Sequence, residues 1–208
     1  MKTNIALAAA SLMALIAPNL ASAALVLDTG TPTSSSMGST LDGNDYYAAE
    51  FNLSSGSTIN SIQAYLTAGA DQPGATFTMA IYGSDLLTNR FAQQLFSGQA
   101  TYTADGWTGL SGINFTSTTA GNYWVALEVG ATDSAIGLTL PQTAGGGTAP
   151  ALAFAFNSGG GYATAGALPF GVQVDATTPV PLPAAVWLLG AGLFGLGSTA
   201  RRRRNVNH

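Results

Sequence analysis

"ATFTMAIYG" (residues 75–83) and "GNYWVALEVG" (residues 121–130) decide the fold. In the first, Phe77, Met79 and Ile81 alternate with Thr76, Thr78 and Ala80; in the second, Tyr123, Val125, Leu127 and Val129 alternate with Trp124, Ala126 and Glu128. A period of two is the signature of a half-buried β-strand, because successive side chains leave opposite faces of the pleat. The same reading extends to 46–53, 57–67, 94–103, 109–117, 134–140, 151–156 and 170–174, with glycine-bearing turn clusters between them at 53–57, 69–74, 104–106, 145–147 and 159–161. No segment between the two apolar ends of the chain keeps helical spacing over about three turns. About nine or ten short strands with frequent turns predict an all-β fold, an antiparallel β-sandwich that is jelly-roll-like rather than a closed barrel.

Between residues 24 and 180 all ten acids of the chain (Asp28, Asp42, Asp45, Glu50, Asp71, Asp85, Asp105, Glu128, Asp133 and Asp175) stand against one base, Arg90, a formal charge of −9 that the whole-chain value of −4 hides. Such a body has no basic patch to neutralise phosphates, which excludes nucleic acid as its partner. It also lacks histidine, cysteine and lysine, since the single histidine is His208. Ser/His/Asp and Cys/His nucleophilic schemes, histidine-ligated zinc and Schiff-base chemistry are therefore ruled out by inventory. A secreted domain of about 150 residues does not need disulfides to hold a core.

The ends carry a different pattern. "MKTNIALAAASLMALIAPNLASA" has a positive start at Lys2, an apolar stretch from Ile5 to Ile16 and a small-x-small cleavage site, Ala21-Ser22-Ala23, which predicts a secretory signal peptide over 1–23 and a mature amino terminus at Ala24. At the other end, 183–200 holds 18 uncharged positions, about 27 Å as a helix and just long enough to span a bilayer. Arg201, Arg202, Arg203 and Arg204 follow, and basic residues flanking a span stay in the cytoplasm, so the body (24–176) is expected outside. A buried core helix with a solvated basic tail is the alternative. A glycolipid-anchor signal would end in its apolar tail, and a sortase signal would need threonine and glycine where Ala184 and Ala185 stand.

The layout of 177–208, with "VPLP" (Val180, Pro181, Leu182, Pro183), then "AAVWLLGAGLFGLG", then "RRRR", resembles the PEP-CTERM sorting tail of Gram-negative bacteria, in the variant where leucine replaces the glutamate of the Pro-Glu-Pro motif. The resemblance implies an exosortase, a membrane protease-like enzyme, as processing partner, after export machinery and signal peptidase have acted. It implies a protein held briefly in the inner membrane by its C-terminal helix, then moved to the cell surface or biofilm matrix. A second resemblance, carried by "FNLSSGSTINSIQAYL", "FTMAIYGSD", "TSTTAGNYWVALEVG" and "PFGVQV" over 46–175, is to choice-of-anchor R-type ectodomains, which have no established chemistry.

Three local chemistries remain open in the body. "LDGNDYY" places Asp42, Asn44 and Asp45 in one loop, a set of oxygen donors suited to Ca2+ if Asp28 or Glu50 completes it; an Asx-turn explains the same residues. Trp107, in a predicted turn, and Trp124, opposite the apolar face of its strand, are candidates for a sugar-stacking platform on extracellular polysaccharide. A glycosidase would need two carboxylates flanking a cleft, whereas the acids are expected to be scattered on the surface, Glu128 among them. The expectation is a non-catalytic surface or matrix component without a cofactor.

Overall fold

The computed structural model describes residues 23–33, 38–84, 94–166 and 168–179. Residues 1–22 of the expected signal peptide, the motif Val180–Pro183, the candidate span and Arg201–Arg204 lie outside the described residues. Ser22–Pro179 form one compact unit.

The described residues contain twelve strands and no helix. They are β1 (Ala23–Asp28), β2 (Gly38–Leu41), β3 (Asp45–Leu53), β4 (Thr58–Leu66), β5 (Thr76–Tyr82), β6 (Gln94–Thr101), β7 (Gly106–Thr116), β8 (Gly121–Glu128), β9 (Leu138–Pro141), β10 (Phe154–Ser158), β11 (Ala163–Ala165) and β12 (Val172–Thr177). One sheet runs β1-β12-β4-β7, the other β11-β10-β3-β8-β5-β6, and β2 and β9 form a separate ribbon. Every strand pairing is antiparallel.

A single core joins the two main sheets. Phe51, Phe77, Met79, Ile81, Tyr123, Val125 and Leu127 from the six-stranded sheet bury against Leu27, Ile59, Ile62, Leu66, Val172 and Val174 from the four-stranded one. These are the apolar members of the alternating runs, so the period read in the sequence is the cause of the layering. One run departs from period two. Ile59 and Ile62 are three apart yet both fully buried, because a bulge at Asn60 shifts the pairing of β4 with both β7 and β12 and resets the alternation. The Asn60 amide is held there by Asp175 Oδ1 at 3.0 Å and Thr177 Oγ1 at 2.9 Å.

Strand boundaries differ from the sequence expectation at several places: the strand expected over 134–140 begins only at Leu138, the one expected over 151–156 runs Phe154–Ser158, and β11 falls in none of the expected runs. Trp107 is not in a turn: β7 starts at Gly106, pairing Trp107 with Tyr65 and Gly106 with Leu66. Gly109 in the same strand lies so close to the backbone of Ile62 and Gln63 that an added Cβ would meet the Ile62 carbonyl. The polar stretch 29–40 also yields β2, a strand without apolar alternation that is fixed by pairing to β9.

Truncating Phe77, fully buried, to alanine is expected to lower stability by about 3–5 kcal/mol in denaturant unfolding. Ile136→Ala, at a side chain 70% exposed, should stay within about 0.5 kcal/mol of the parent.

Candidate functional site

The face of the six-stranded sheet that points away from the core is built in rows by cross-strand register. Ala155, Ala48, Ala126 and Ala80 stand side by side on β10, β3, β8 and β5, and all four are fully buried. The next row toward the start of β8 holds Glu50, Trp124 and Tyr82, and the one beyond it pairs Asn52 with Asn122. In the opposite direction Glu128 stands opposite Thr78.

Here two sequence expectations are corrected. Trp124 is not exposed: it is 1% accessible, in a second apolar cluster with Tyr82, Tyr162 and the alanines. Its indole Nε1 finds no acceptor among the described residues. Glu128 is likewise buried, its Oε1 accepting hydrogen bonds from the hydroxyls of Tyr82 at 3.0 Å and Tyr162 at 2.8 Å. The alternation placed both residues on the correct face. It could not show that this face is itself covered, by Tyr162 among others, from the glycine-rich turn between β10 and β11.

Toward the start of β8 the face becomes polar and accessible. Asn122 Nδ2 donates to Glu50 Oε1 at 3.1 Å, and Asn52 Nδ2 donates to Asn122 Oδ1 at 2.9 Å. The direction of this chain follows from chemistry: an ionised carboxylate only accepts, so Asn122 turns its NH2 toward Glu50 and its carbonyl toward Asn52. Beside it lies a cavity of ≈ 240 Å³ lined by Ser84, Leu95, Thr118, Thr119, Asn122 and Tyr123, among others. Its wall is fixed by Tyr123, whose hydroxyl donates to the Thr119 carbonyl at 2.8 Å.

Most of the other acids are engaged with the protein itself. Asp71, 5% exposed, accepts the N–H groups of Ile136 and Gly137. Asp133 takes Thr78 Oγ1 at 2.7 Å, the Gly130 N–H at 2.8 Å and Gln99 Nε2 at 2.8 Å. Asp105 accepts the Ala68 N–H and the Tyr102 hydroxyl. Asp28 accepts from Gly30, Thr148 and Gln173; burial pushes its carboxyl up, but these hydrogen bonds outweigh it and hold the group below 3.8.

In the loop read as a candidate calcium site, Asp42 Oδ1 accepts the N–H groups of Asn44 at 2.7 Å and Asp45 at 3.0 Å, the geometry of an Asx-turn. Both carboxylate oxygens of Asp28 accept hydrogen bonds from the partners given above, and among the described residues no three acids or histidines gather at metal-binding distance. Trp107 is half-buried and packs edge-on against Tyr65, ring centroids 5.7 Å apart, on the four-stranded sheet. The structure does not bring it to Trp124 or to the Asp42 loop.

The Glu50–Asn122–Asn52 ladder was not found in the sequence as a unit. Its only signal is the acid and amide two residues apart in β3, and the pairing of β3 with β8 supplies the rest.

No protein-family model matches the chain, and no curated protein matches it. Among solved structures, the cysteine protease and lectin-like domains of Cwp84, a surface layer associated protein of Clostridium difficile, align with 66% of this chain and 33% of theirs, at 13% identity and a TM-score of 0.46. The chain thus spans about a third of that neighbour, and a likeness this distant carries nothing about chemistry.

Asp71→Ala would strand the Ile136 N–H and the buried Gly137 N–H, at an expected cost of about 1–3 kcal/mol in thermal or denaturant unfolding. A second expectation concerns alkaline pH. Burial, then Asp105, pushes the Tyr102 hydroxyl from 10.0 up to about 12. The folded state therefore holds this proton more tightly than the unfolded chain, so the stabilisation is full below pH 10.0 and is lost as pH rises toward 12. Unfolding measured across that window should show the decline, and Tyr102→Phe should flatten it.

Proposed function

We propose that the protein is an exported, non-catalytic component of the bacterial surface or extracellular matrix, sorted through its C-terminal tail by an exosortase-like membrane protease. The layout of that tail carries the proposal: paired prolines at Pro181 and Pro183, 18 uncharged positions and four arginines, behind a body of formal charge −9 and a signal-like amino terminus. Arg201–Arg204 keep the end of the chain in the cytoplasm until the tail is processed, and the acidic body meets no such barrier to export.

The body supports the reading in two ways. Ala23 pairs with Thr177 and Ala24 with Ala176, so the first and last strands of the body lie side by side in one sheet and its two ends sit together. The order β1-β12-β4-β7 in one sheet and β3-β8-β5-β6 in the other, with β10 and β11 added beyond β3, supports the jelly-roll reading. This is a scaffold whose role resides in its surface. Catalysis is disfavoured by the absence of histidine, cysteine and lysine from the body, and most carboxylates that a hydrolase would need are tied to backbone N–H groups or hydroxyls.

Intact mass of the protein recovered from cells tests the proposal. The parent is expected to start at Ala24 and end near the proline motif, while a variant carrying Pro181→Ala and Pro183→Ala keeps its arginines. If both forms retain Arg201–Arg204, the tail is a plain membrane anchor and no sorting enzyme acts on it.

A further inference from the structure

We infer that the accessible end of the outer six-stranded face, the Glu50–Asn122–Asn52 ladder with its adjoining cavity, binds a neutral polysaccharide. The inference deepens the surface-protein reading and rests on it only for the source of the polymer.

The ladder is held but not saturated. Glu50 Oε1, Asn122 Oδ1 and one hydrogen from each amide nitrogen are used internally. That leaves Glu50 Oε2, Asn52 Oδ1 and a second hydrogen on each of the two Nδ2 atoms directed by the same chain. Exposed amides on a protein surface usually sample many rotamers, and ordering them opposes binding. Here the cross-strand bonds have already fixed three adjacent side chains, so that cost is largely met before a ligand arrives. Acceptors and donors set side by side are complementary to vicinal hydroxyls, each of which both donates and accepts.

The cavity supplies the second half of the site. Asn122 belongs to both the ladder and the cavity wall, which joins them into one surface. The hydroxyl side chains of Thr118 and Thr119 and the apolar side chain of Leu95, 46% exposed, give the mixed polar and apolar lining that a sugar ring presents in return. A volume of ≈ 240 Å³ falls just below the range of about 300–1,000 Å³ typical for pockets that enclose a whole small molecule. It suits one residue of a longer chain lying across the accessible end of the face.

Charge selects the class of polymer. One base against ten acids in the body repels uronate, sulfate and phosphate groups, and Glu50 places a carboxylate at the contact itself. A neutral glycan meets no such penalty and can donate its hydroxyls to that carboxylate with charge-assisted strength.

The test uses the full chain, purified in a detergent without a sugar head group, and affinity electrophoresis through gels containing dextran, soluble starch, galactomannan, xyloglucan or, as the anionic comparison, alginate. Retardation by at least one neutral polymer and none by alginate is expected. Asn122→Ala breaks the ladder and should weaken binding about tenfold or more, equivalent to about 1.4 kcal/mol. Thr118→Trp fills the cavity from an exposed position and should weaken binding without touching the ladder, which keeps the test valid if Asn122→Ala lowers the melting temperature. Trp107→Ala, on the other sheet, should bind as the parent does. The inference is overturned if no neutral polymer retards the protein, if alginate alone does, or if Asn122→Ala and Thr118→Trp bind like the parent. Because the protein is assayed pure, failure here leaves the tail reading intact, and an unprocessed tail leaves this one intact.

Discussion

Strand β8 is paired on both edges, to β3 and to β5, and from Tyr123 to Glu128 it is buried on both faces. The rest of the structure follows from that constraint. Tyr123, Val125 and Leu127 hold the inter-sheet core, while Trp124, Ala126 and Glu128 build the floor of the outer face. A slip of one residue would drive Glu128 and the indole N–H of Trp124 into an apolar core and expel three core side chains, so the register is fixed by both faces at once. The sheet neighbours answer in kind: alanines on β10, β3 and β5 meet Ala126, and larger outward side chains stand only where the face opens to solvent or is roofed by Tyr162.

The second constraint is charge. With Arg90 as its one base, the body cannot balance its acids by ion pairs. It uses backbone N–H groups and hydroxyls instead. Asp71, Asp105 and Asp133 each join a loop to a strand or to a second loop, and Asp28 ties β1 to Thr148 and to β12. Hydrogen bonds to ionised carboxylates are stronger than neutral ones, so each acid acts as a local staple in a fold without disulfides. The same economy produces the ladder at Glu50, where two asparagines stand in the place a lysine or arginine would take elsewhere.

The period-two runs made the all-β antiparallel fold legible, because each strand's alternation reports local sterics and one-sided burial. What depended on partners was not legible. The spacing of Ile59 and Ile62 violates the alternation until the bulge at Asn60 is known. Trp107 reads as a turn residue in "DGWTG" because its strand character comes from pairing with Tyr65 of β4. The alternation puts Trp124 and Glu128 on the correct face but leaves Trp124 open as a sugar platform and Glu128 as a surface acid, since only tertiary structure shows that face to be covered. The site was the least legible of all: Glu50, Asn52 and Asn122 are 70 or more positions apart across the ladder and carry no motif.

We read the outer face of the six-stranded sheet, part buried and part polar, as the surface that holds a neutral glycan. Hydrogen–deuterium exchange of the full chain with and without the polymer it binds tests this account most directly. The account predicts slowed exchange confined to 50–53 and 118–124, around the ladder and the cavity, with the β4–β7 pair unchanged. Protection centred on Trp107 and the four-stranded sheet, or no protection anywhere, would contradict it.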